Sequence, residues 1–235
     1  MHQEEIAELL TQLEQLEPEN ALRIIAANFG NDAVFSTSFS EEDQIIGHLI
    51  FSNNLPIEVF TLDTGRLFAE TYSTWTATIN KYGKSIKTYY PDAATLEQYV
   101  NTNGPNAFYD SPDLRKMCCQ VRKVEPLKRA INNKRIWITG IRSAHSSNRT
   151  QMKQLEWDPN NAIHKFHPLL NWSSQQVDNF IQSNNIPVNP LHAKGFVSIG
   201  CAPCTRAIKP GEDFRAGRWW WEDESKKECG LHLSK

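Results

Sequence analysis

The sequence predicts an α/β protein built on a doubly wound, mainly parallel sheet. Short β-rich apolar runs alternate with helical stretches as far as Gly140, and this βαβα order is typical of parallel sheets. The chain has 235 residues, of which 40% are apolar and 22% are charged. This length and composition suit a globular protein with a substantial core.

Apolar residues at helical spacing predict two helices ahead of the first strand. The first contains Ile6 and ends near Pro18, and the second runs from about Leu22 to Phe29, where Gly30 stops it. The elements predicted after them are, in chain order, a strand at Ala33–Ser38, a helix at Asp43–Phe51, a strand at Glu58–Leu62, a helix from about Leu67 to Tyr82, a strand at Ile86–Tyr90, a helix opened by a capping box at Thr95–Gln98, a helix at Val121–Ile131 and a strand at Ile136–Gly140.

Beyond Gly140 the periodic pattern weakens. The segment Ser173–Gln176 has the form of a capping box and predicts a helix that continues to about Ser183. A loop-rich stretch with prolines and cysteines follows. The charged C-terminal residues show little apolar periodicity, and we expect them to form a mobile tail.

Charge and N-terminal composition limit the classes of partner and the compartment. A net charge of −2 predicts no general attraction to nucleic acid or to an anionic membrane. Basic residues concentrate between Lys116 and Arg149 and between Arg206 and Arg218, so a small anionic ligand is compatible with a positive pocket. The acidic start is unlike a signal peptide, and no apolar stretch is long enough to span a membrane. We therefore expect a cytoplasmic protein with reduced thiols.

Two compact polar loops follow the first two predicted strands, where ligands bind in open α/β sheets. Ser36 and Ser38 lie after the first strand, and Asp63, Gly65 and Arg66 lie after the second. Hydroxyls, backbone amides and a guanidinium are suited to a phosphate or sulfate group. The same residues are also ordinary in turns and helix caps, and composition alone does not separate the two interpretations.

Four of the five cysteines have a pattern that favours a metal centre. Cys118 and Cys119 are adjacent, and Cys201 and Cys204 are separated by two residues. Adjacent thiolates on a helix diverge, so they suit different irons of one [4Fe–4S] cluster better than one zinc ion. Zinc and buried inert thiols remain as alternatives at this point.

The fifth cysteine, Cys229, lies among Lys226, Lys227 and His232. Cationic neighbours favour the nucleophilic thiolate, although an incidental surface thiol is the simpler interpretation. Arg215 and Arg218, which precede three consecutive tryptophans, are suited to a sulfate or phosphate group.

Taken together, these motifs resemble the assimilatory adenylyl-sulfate (APS) reductase family over most of the chain, from about Ser36 to His232. The matching segments are Ser36–Asp43, Leu62–Arg66 with Glu70 and Thr71, the CCQVRK segment Cys118–Lys123, Thr139–Arg142, Ile199–Arg206, Gly217–Glu222 and Lys227–His232. The resemblance implies an adenine-nucleotide alpha-hydrolase-like fold with three parts. These are an N-terminal helical extension (1–30), a nucleotide-binding α/β domain that carries the cluster (31–212) and a catalytic tail (213–235).

The resemblance also implies residue roles. Cys229 would attack the sulfur of APS, expel AMP and become S-sulfonated, and thioredoxin would then release sulfite. Cys118, Cys119, Cys201 and Cys204 would hold a [4Fe–4S] cluster that organises charge and does not cycle electrons. Lys123 would link cluster and substrate. The other implied substrate contacts are Ser36, Ser38, Asp63, Gly65, Arg66, Arg142, Arg215, Arg218 and His232.

Three positions depart from the family pattern: His145, Ser40 and Phe68 stand where Gln, Gly and His are usual. The alternatives are a reductase for the 3′-phosphorylated nucleotide PAPS, a tRNA-modifying enzyme of the ATP-pyrophosphatase (PP-loop) type, and a zinc-binding nucleotide module without catalysis. The PAPS branch generally lacks the four cysteines, and the PP-loop type needs glycines where this chain has acidic residues. Homo-oligomer formation is left open by the sequence.

Overall fold

The computed structural model describes residues 8, 11–13, 16–143 and 152–222. The chain divides into two compact units. The first comprises Met1–Phe60, Ser73–Lys87 and Asn133–Asn189, and the second comprises Thr61–Tyr72, Thr88–Asn132 and Pro190–Lys235. The part of the predicted tail (213–235) from residue 223 onward and most of the predicted N-terminal helix lie outside the described residues.

A six-stranded sheet is the centre of the fold, with the strand order β3-β2-β1-β4-β6-β5. The strands are β1 (Ala33–Thr37), β2 (Glu58–Leu62), β3 (Lys87–Tyr89), β4 (Ile136–Ile138), β5 (Leu155–Asp158) and β6 (Ile163–Phe166). Strand β4 pairs in parallel with β1 and with β6, whereas β5 pairs antiparallel with β6. The prediction of a mainly parallel sheet is confirmed.

Helices of the first unit pack an apolar core against the sheet. They are α1 (Pro18–Phe29), α2 (Glu41–Ser52), most of α3 (Ala69–Tyr82) and α7 (Ser174–Ser183). Leu22 and Ile25 from α1 and Ile46 from α2 join Phe35 and Ile138 of the sheet in one buried cluster. The predicted capping box of α7 is confirmed, because the Ser173 and Gln176 side chains accept reciprocal backbone hydrogen bonds.

The second unit contains α4 (Ala93–Asn103), α5 (Pro112–Cys119), a π-helical turn (Gln120–Val124) and α6 (Glu125–Ile131). The predicted capping box at Thr95 is wrong, because Asp92 caps α4 and accepts the Thr95 backbone N–H at 2.9 Å. The helix predicted from Val121 begins nine residues earlier, at Pro112, with Ser111 as its N-cap. The small apolar core of the second unit includes three of the four motif cysteines.

Strands β5 and β6 were not predicted, because polar residues interrupt their apolar pattern. The sequence of β6 is Ile-His-Lys-Phe, and all four residues are buried. The Lys165 ammonium lies 2.8 Å from an Asp158 carboxylate oxygen and 5.2 Å from the centre of the Trp137 ring. The carboxylate of Asp158 on the neighbouring strand neutralises this buried lysine, which makes its burial tolerable. The pattern of one strand alone does not reveal such a partner on another strand.

Membrane-spanning helices are absent from the part of the chain that the structure describes: none combines the length and apolar character that a bilayer requires.

Candidate active site

The four motif cysteines line one pocket in the second unit, which we call the thiol pocket. Cys118 and Cys119 end α5, whereas Cys201 is the N-cap of a short 3-10 turn and Cys204 is its last residue. Among the described residues none of the four forms a disulfide, and Cys119 is half-buried while the other three are buried. The remaining pocket-lining residues are Arg66, Phe108, Arg115, Arg122, Lys123, Pro203, Arg218 and Trp219.

A π-helical turn places Arg122 and Lys123 on this pocket. Pro126 has no N–H, and in a regular helix its ring would clash with the carbonyl of Arg122. The chain widens just before it, and the Glu125 N–H bonds to the carbonyl of Gln120, five residues back. Such single π-turns often occur at functional sites. Pro126, inside the predicted helix, was the sequence signal for this distortion.

Cationic side chains surround the thiols: Arg66, Arg115, Arg122, Lys123 and Arg218 all line the pocket. The Nε atoms of Arg122 and Arg218 are buried and have no hydrogen-bond partner among the described residues. A buried donor without a partner is costly, so this lining is suited to an anionic occupant.

Burial opposes ionisation of two of the thiols, Cys118 and Cys204. It raises the pKa of Cys204 to about 12, with Cys201 adding to the rise and Lys123 and Arg218 opposing it. The pKa of Cys118 is also raised by burial, and Arg122 partly offsets that rise. Thiols in such surroundings stay protonated unless a metal takes the place of the proton.

Within the described residues, no group of three or more His, Cys, Asp or Glu side chains is arranged to hold a metal ion. The four thiols nevertheless line one pocket. A structural zinc would need all four sulfurs about 2.3 Å from one point.

The Asp63–Arg66 loop lies beside the second cysteine pair. The Thr64 hydroxyl is 3.3 Å from the Cys201 Sγ, and the Thr64 carbonyl accepts a hydrogen bond from Arg122 at 2.6 Å. Asp63 accepts hydrogen bonds from the Gly65 N–H and the Tyr72 hydroxyl, both at 2.8 Å. Gly65 has a φ of +69°, which a glycine adopts without strain.

Arg66 reaches from this loop toward Asn106 and Phe108. Its guanidinium donates to the Asn106 side chain at 3.0 Å and lies 5.2 Å from the centre of the Phe108 ring. These contacts fix the charge of Arg66 at the edge of the thiol pocket.

Three arginines surround the ring of Trp219. The guanidinium carbons of Arg115, Arg218 and Arg215 lie 4.6, 4.8 and 5.8 Å from its centre. Arg115 was missed by the sequence interpretation. Its position three residues before Cys118, on the same helix face, was an available signal.

The other predicted substrate residues, Ser36, Ser38 and Arg142, belong to the first unit. The Ser36 hydroxyl accepts the Trp137 indole N–H at 2.8 Å. The backbone N–H and the hydroxyl of Ser38 donate to one Asp43 oxygen at 2.6 and 2.7 Å.

Arg142 is buried and donates to Glu42 at 2.7 Å. Of the three departures from the family pattern, Ser40 caps α2 and Phe68 packs edge-on against Phe196. His145 and the predicted residues Cys229 and His232 lie outside the described part of the chain.

Comparison with known proteins gives consistent results. The sequence profile of the phosphoadenosine phosphosulfate reductase domain matches residues 32–207. A Rhizobium meliloti (strain 1021) protein named adenosine 5′-phosphosulfate reductase is 48% identical over 221 residues, which cover 94% of this chain and 83% of that protein. An Allochromatium vinosum protein of the same name is 48% identical over 199 residues, which cover 85% of this chain and 78% of that protein.

Among solved structures, a phosphoadenylyl-sulfate (PAPS) reductase from Candida auris in a phosphate complex superposes with a TM-score of 0.73. The match has 26% identity and covers 88% of this chain and 98% of that chain. The extent of the domain match and the identity to whole relatives are decisive, and the chain belongs to the phosphoadenosine phosphosulfate reductase domain family.

Proposed function

We propose that this chain is an adenylyl-sulfate reductase, which converts adenosine 5′-phosphosulfate (APS) to sulfite and AMP in the sulfate assimilation of the cytoplasm. The observation that carries the proposal is the pocket that combines four thiols with five cationic side chains. Relatives at 48% identity bear the corresponding name.

The four pocket cysteines would hold a [4Fe–4S] cluster. Each thiolate of such a cluster serves a different iron, so the thiols need not converge on one point. The cluster and its four thiolates carry net negative charge, which Arg122 and Arg218 would offset with their buried guanidinium groups. When bound, the cluster would contribute fixed charge near the substrate and would exchange no electrons.

The Cys229 thiolate would be the nucleophile. It attacks the sulfur of APS, the bond between sulfur and the phosphate oxygen breaks, and AMP leaves with the electron pair. The product on the protein is a Cys229 S-sulfonate. Lys226 and Lys227 precede this cysteine, and cations of this kind stabilise a thiolate.

Cationic side chains would stabilise the negative charge that develops on the leaving phosphate. Lys123, Arg215 and Arg218 in the second unit and Arg142 in the first are the candidates, with His232 in the tail. Ser36, Ser38, Asp63, Gly65 and Arg66 would contact the nucleotide. Arg142 would have to exchange its contact with Glu42 for this role.

Thioredoxin would complete the cycle. A thioredoxin thiolate attacks the Cys229 sulfur and expels sulfite, and the second thioredoxin thiol then resolves the mixed disulfide. Thioredoxin leaves oxidised, and Cys229 returns as a thiol.

PAPS reduction is the second candidate, because the Candida auris structure is of a PAPS reductase. The four-cysteine pocket favours APS. We expect much faster turnover of APS than of PAPS with thioredoxin as the reductant. Equal or reversed rates would exclude the APS assignment.

Mass spectrometry after one turnover tests the reaction and its nucleophile together. Anaerobic protein mixed with APS should gain a sulfonate-sized mass on the peptide that contains Cys229. The Cys229→Ser variant should bind APS and form no adduct. Sulfite release by that variant would remove Cys229 from the mechanism.

Metal analysis tests the cluster separately. We expect iron and sulfide in the protein purified without oxygen, their loss in Cys204→Ser, and their retention in Cys229→Ser. Stoichiometric zinc in place of iron would overturn the cluster proposal.

A further inference from the structure

A buried ion pair joins the helix of the first cysteine pair to the last described residue of the chain. Two guanidinium nitrogens of Arg115 donate to the two carboxylate oxygens of Glu222, at 2.9 and 2.8 Å. The side chains are 1% and 3% exposed. Arg115 belongs to α5, one turn before Cys118 and Cys119.

The residues before Glu222 are attached to the second cysteine pair. The Trp219 N–H donates to the Cys204 carbonyl at 3.2 Å, and the Arg206 N–H donates to the Gly217 carbonyl at 2.9 Å. The Glu222 N–H in turn donates to the Trp219 carbonyl at 2.9 Å. Both cysteine pairs are thus connected to one short segment, Gly217–Glu222.

The type of contact at Glu222 points to positioning. A buried ion pair often contributes less stability than apolar packing of the same volume, because both charges lose their water. A two-bond contact between a guanidinium and a carboxylate also fixes relative orientation. Such a contact at the end of the Gly217–Glu222 segment fixes the position of Glu222 against α5.

We propose that Arg115 and Glu222 are positioning residues that hold the start of the C-terminal tail at the cysteine helix and keep Cys229 within reach of the substrate. The inference rests on the proposed role of Cys229 as the nucleophile. Cys229 follows Glu222 by seven residues, and a fully extended chain of seven residues reaches at most about 25 Å. Anchoring of a tethered nucleophile raises its effective concentration at the reacting atom.

The test is the rate of Cys229 S-sulfonation in a single turnover at saturating APS, followed by quenched mass spectrometry. In Glu222→Gln the carboxylate charge is lost with almost no change of volume. We expect the rate constant to fall about tenfold or more, because the effective concentration of the thiol falls. Iron content, and APS affinity measured in the Cys229→Ser background, should stay at the level of the unmutated protein.

Glu222→Asp is the second variant, since it keeps the charge but withdraws the carboxylate by one methylene. It should also slow S-sulfonation, and it keeps the test decisive if Glu222→Gln does not accumulate. Glu212→Gln is the matched control. The half-buried pair of Glu212 with Arg206 lies in the same unit, and its loss should leave the rate unchanged.

Each remaining outcome is informative. If both Glu222 variants form the Cys229 S-sulfonate as fast as the unmutated protein, the inference is overturned. Parallel losses of iron, APS affinity and rate would also overturn it, because the pair would then hold the thiol pocket and not the tail. If the unmutated protein forms no adduct on Cys229, the proposed function fails first, and the positioning role falls with it.

Discussion

Gly200 and Gly217 illustrate how single residues shape the thiol pocket. A Cβ on Gly200 would lie 2.4 to 2.7 Å from the Arg218 guanidinium, whereas a Cβ on Gly217 would lie 2.3 Å from the Arg206 carbonyl oxygen. The first obstacle is the end of a flexible side chain, and the second is backbone. The two positions should therefore respond differently to the same substitution.

In Gly200→Ala, the added methyl group should displace the Arg218 guanidinium and leave the fold intact. We expect kcat/KM for APS to fall about tenfold or more, because a small misplacement of a binding group weakens stabilisation of the transition state. Steady-state kinetics and thermal unfolding check this. Gly217→Ala is the comparison: it should lower stability by about 1–3 kcal/mol, since the backbone must move. An unchanged kcat/KM in Gly200→Ala would contradict the role of Arg218.

Asp43 should make the folding stability of the first unit depend on pH. Complete burial raises the pKa of this carboxyl from 3.8 to about 6, Glu42 adds to the rise, and hydrogen bonds from Ser38 oppose it. A raised pKa means that the folded protein favours the protonated acid. Its contribution to stability is present below about pH 3.8 and is lost as the pH rises through about 6.

The substitution Asp43→Asn should remove this dependence. The gain in stability of the variant over the unmutated protein should increase between about pH 4 and pH 7, toward a limit of about 3 kcal/mol. Urea unfolding at several pH values in this range measures the difference. A difference that is constant with pH would show that Asp43 does not titrate there.

At the scale of elements, α5 depends on its N-cap. The Ser111 side chain accepts the Leu114 N–H at 3.2 Å, and the cysteine pair lies at the other end of this eight-residue helix. Ser111→Ala should lower stability by about 1 kcal/mol, while Ser111→Asp, which restores a good cap, should retain it. Chemical denaturation of both variants checks the pair. Equal losses in both would assign the effect to packing.

Apart from α5, which was missed, the described helices and strands up to β4, and α7 after them, were predictable from the sequence because each has its own periodicity or cap. Gly30 after α1 and the Ser173 capping box are local signals. The π-turn and the pair β5–β6 were not predicted. The first depends on how one proline distorts a long helix, and the second on an ion pair, Lys165 with Asp158, that joins two strands.

At the scale of the whole molecule, the two units have unequal cores. The first contains a large apolar cluster drawn from helices and sheet, whereas the second packs Tyr99, Phe108 and Trp219 around cysteines. A ligand that binds only the folded state adds its binding energy to stability. The proposed cluster should therefore matter mainly to the second unit.

Removal of iron by a chelator should raise hydrogen exchange in the second unit, at α5 and around Cys201–Cys204. Strands β1 and β4 of the first unit should keep their protection, because their core contains no cysteine. Hydrogen-exchange mass spectrometry of the two forms measures this. If β1 and β4 lose as much protection from hydrogen exchange as the second unit does, the cluster stabilises the whole chain as one cooperative body.

The candidate site was predictable to the extent that its chemistry lies in short motifs. The four cysteines, Lys123 and Arg218 could be selected from residue type and spacing, and the structure brings them to one pocket. Arg115 and Thr64 were not selected, although the place of Arg115 one helical turn before Cys118 was an available signal. Their relevance depends on contacts with Glu222 and Cys201, which are 107 and 137 residues away in the chain.

Unequal burial of the four thiols has a further consequence. Cys119 is half-buried, whereas Cys118, Cys201 and Cys204 are buried. Oxygen, peroxide and alkylating reagents act on sulfur that they can reach. Damage in air should therefore begin at Cys119, so that covalent labelling of this residue would mark the earliest molecules to lose the proposed cluster.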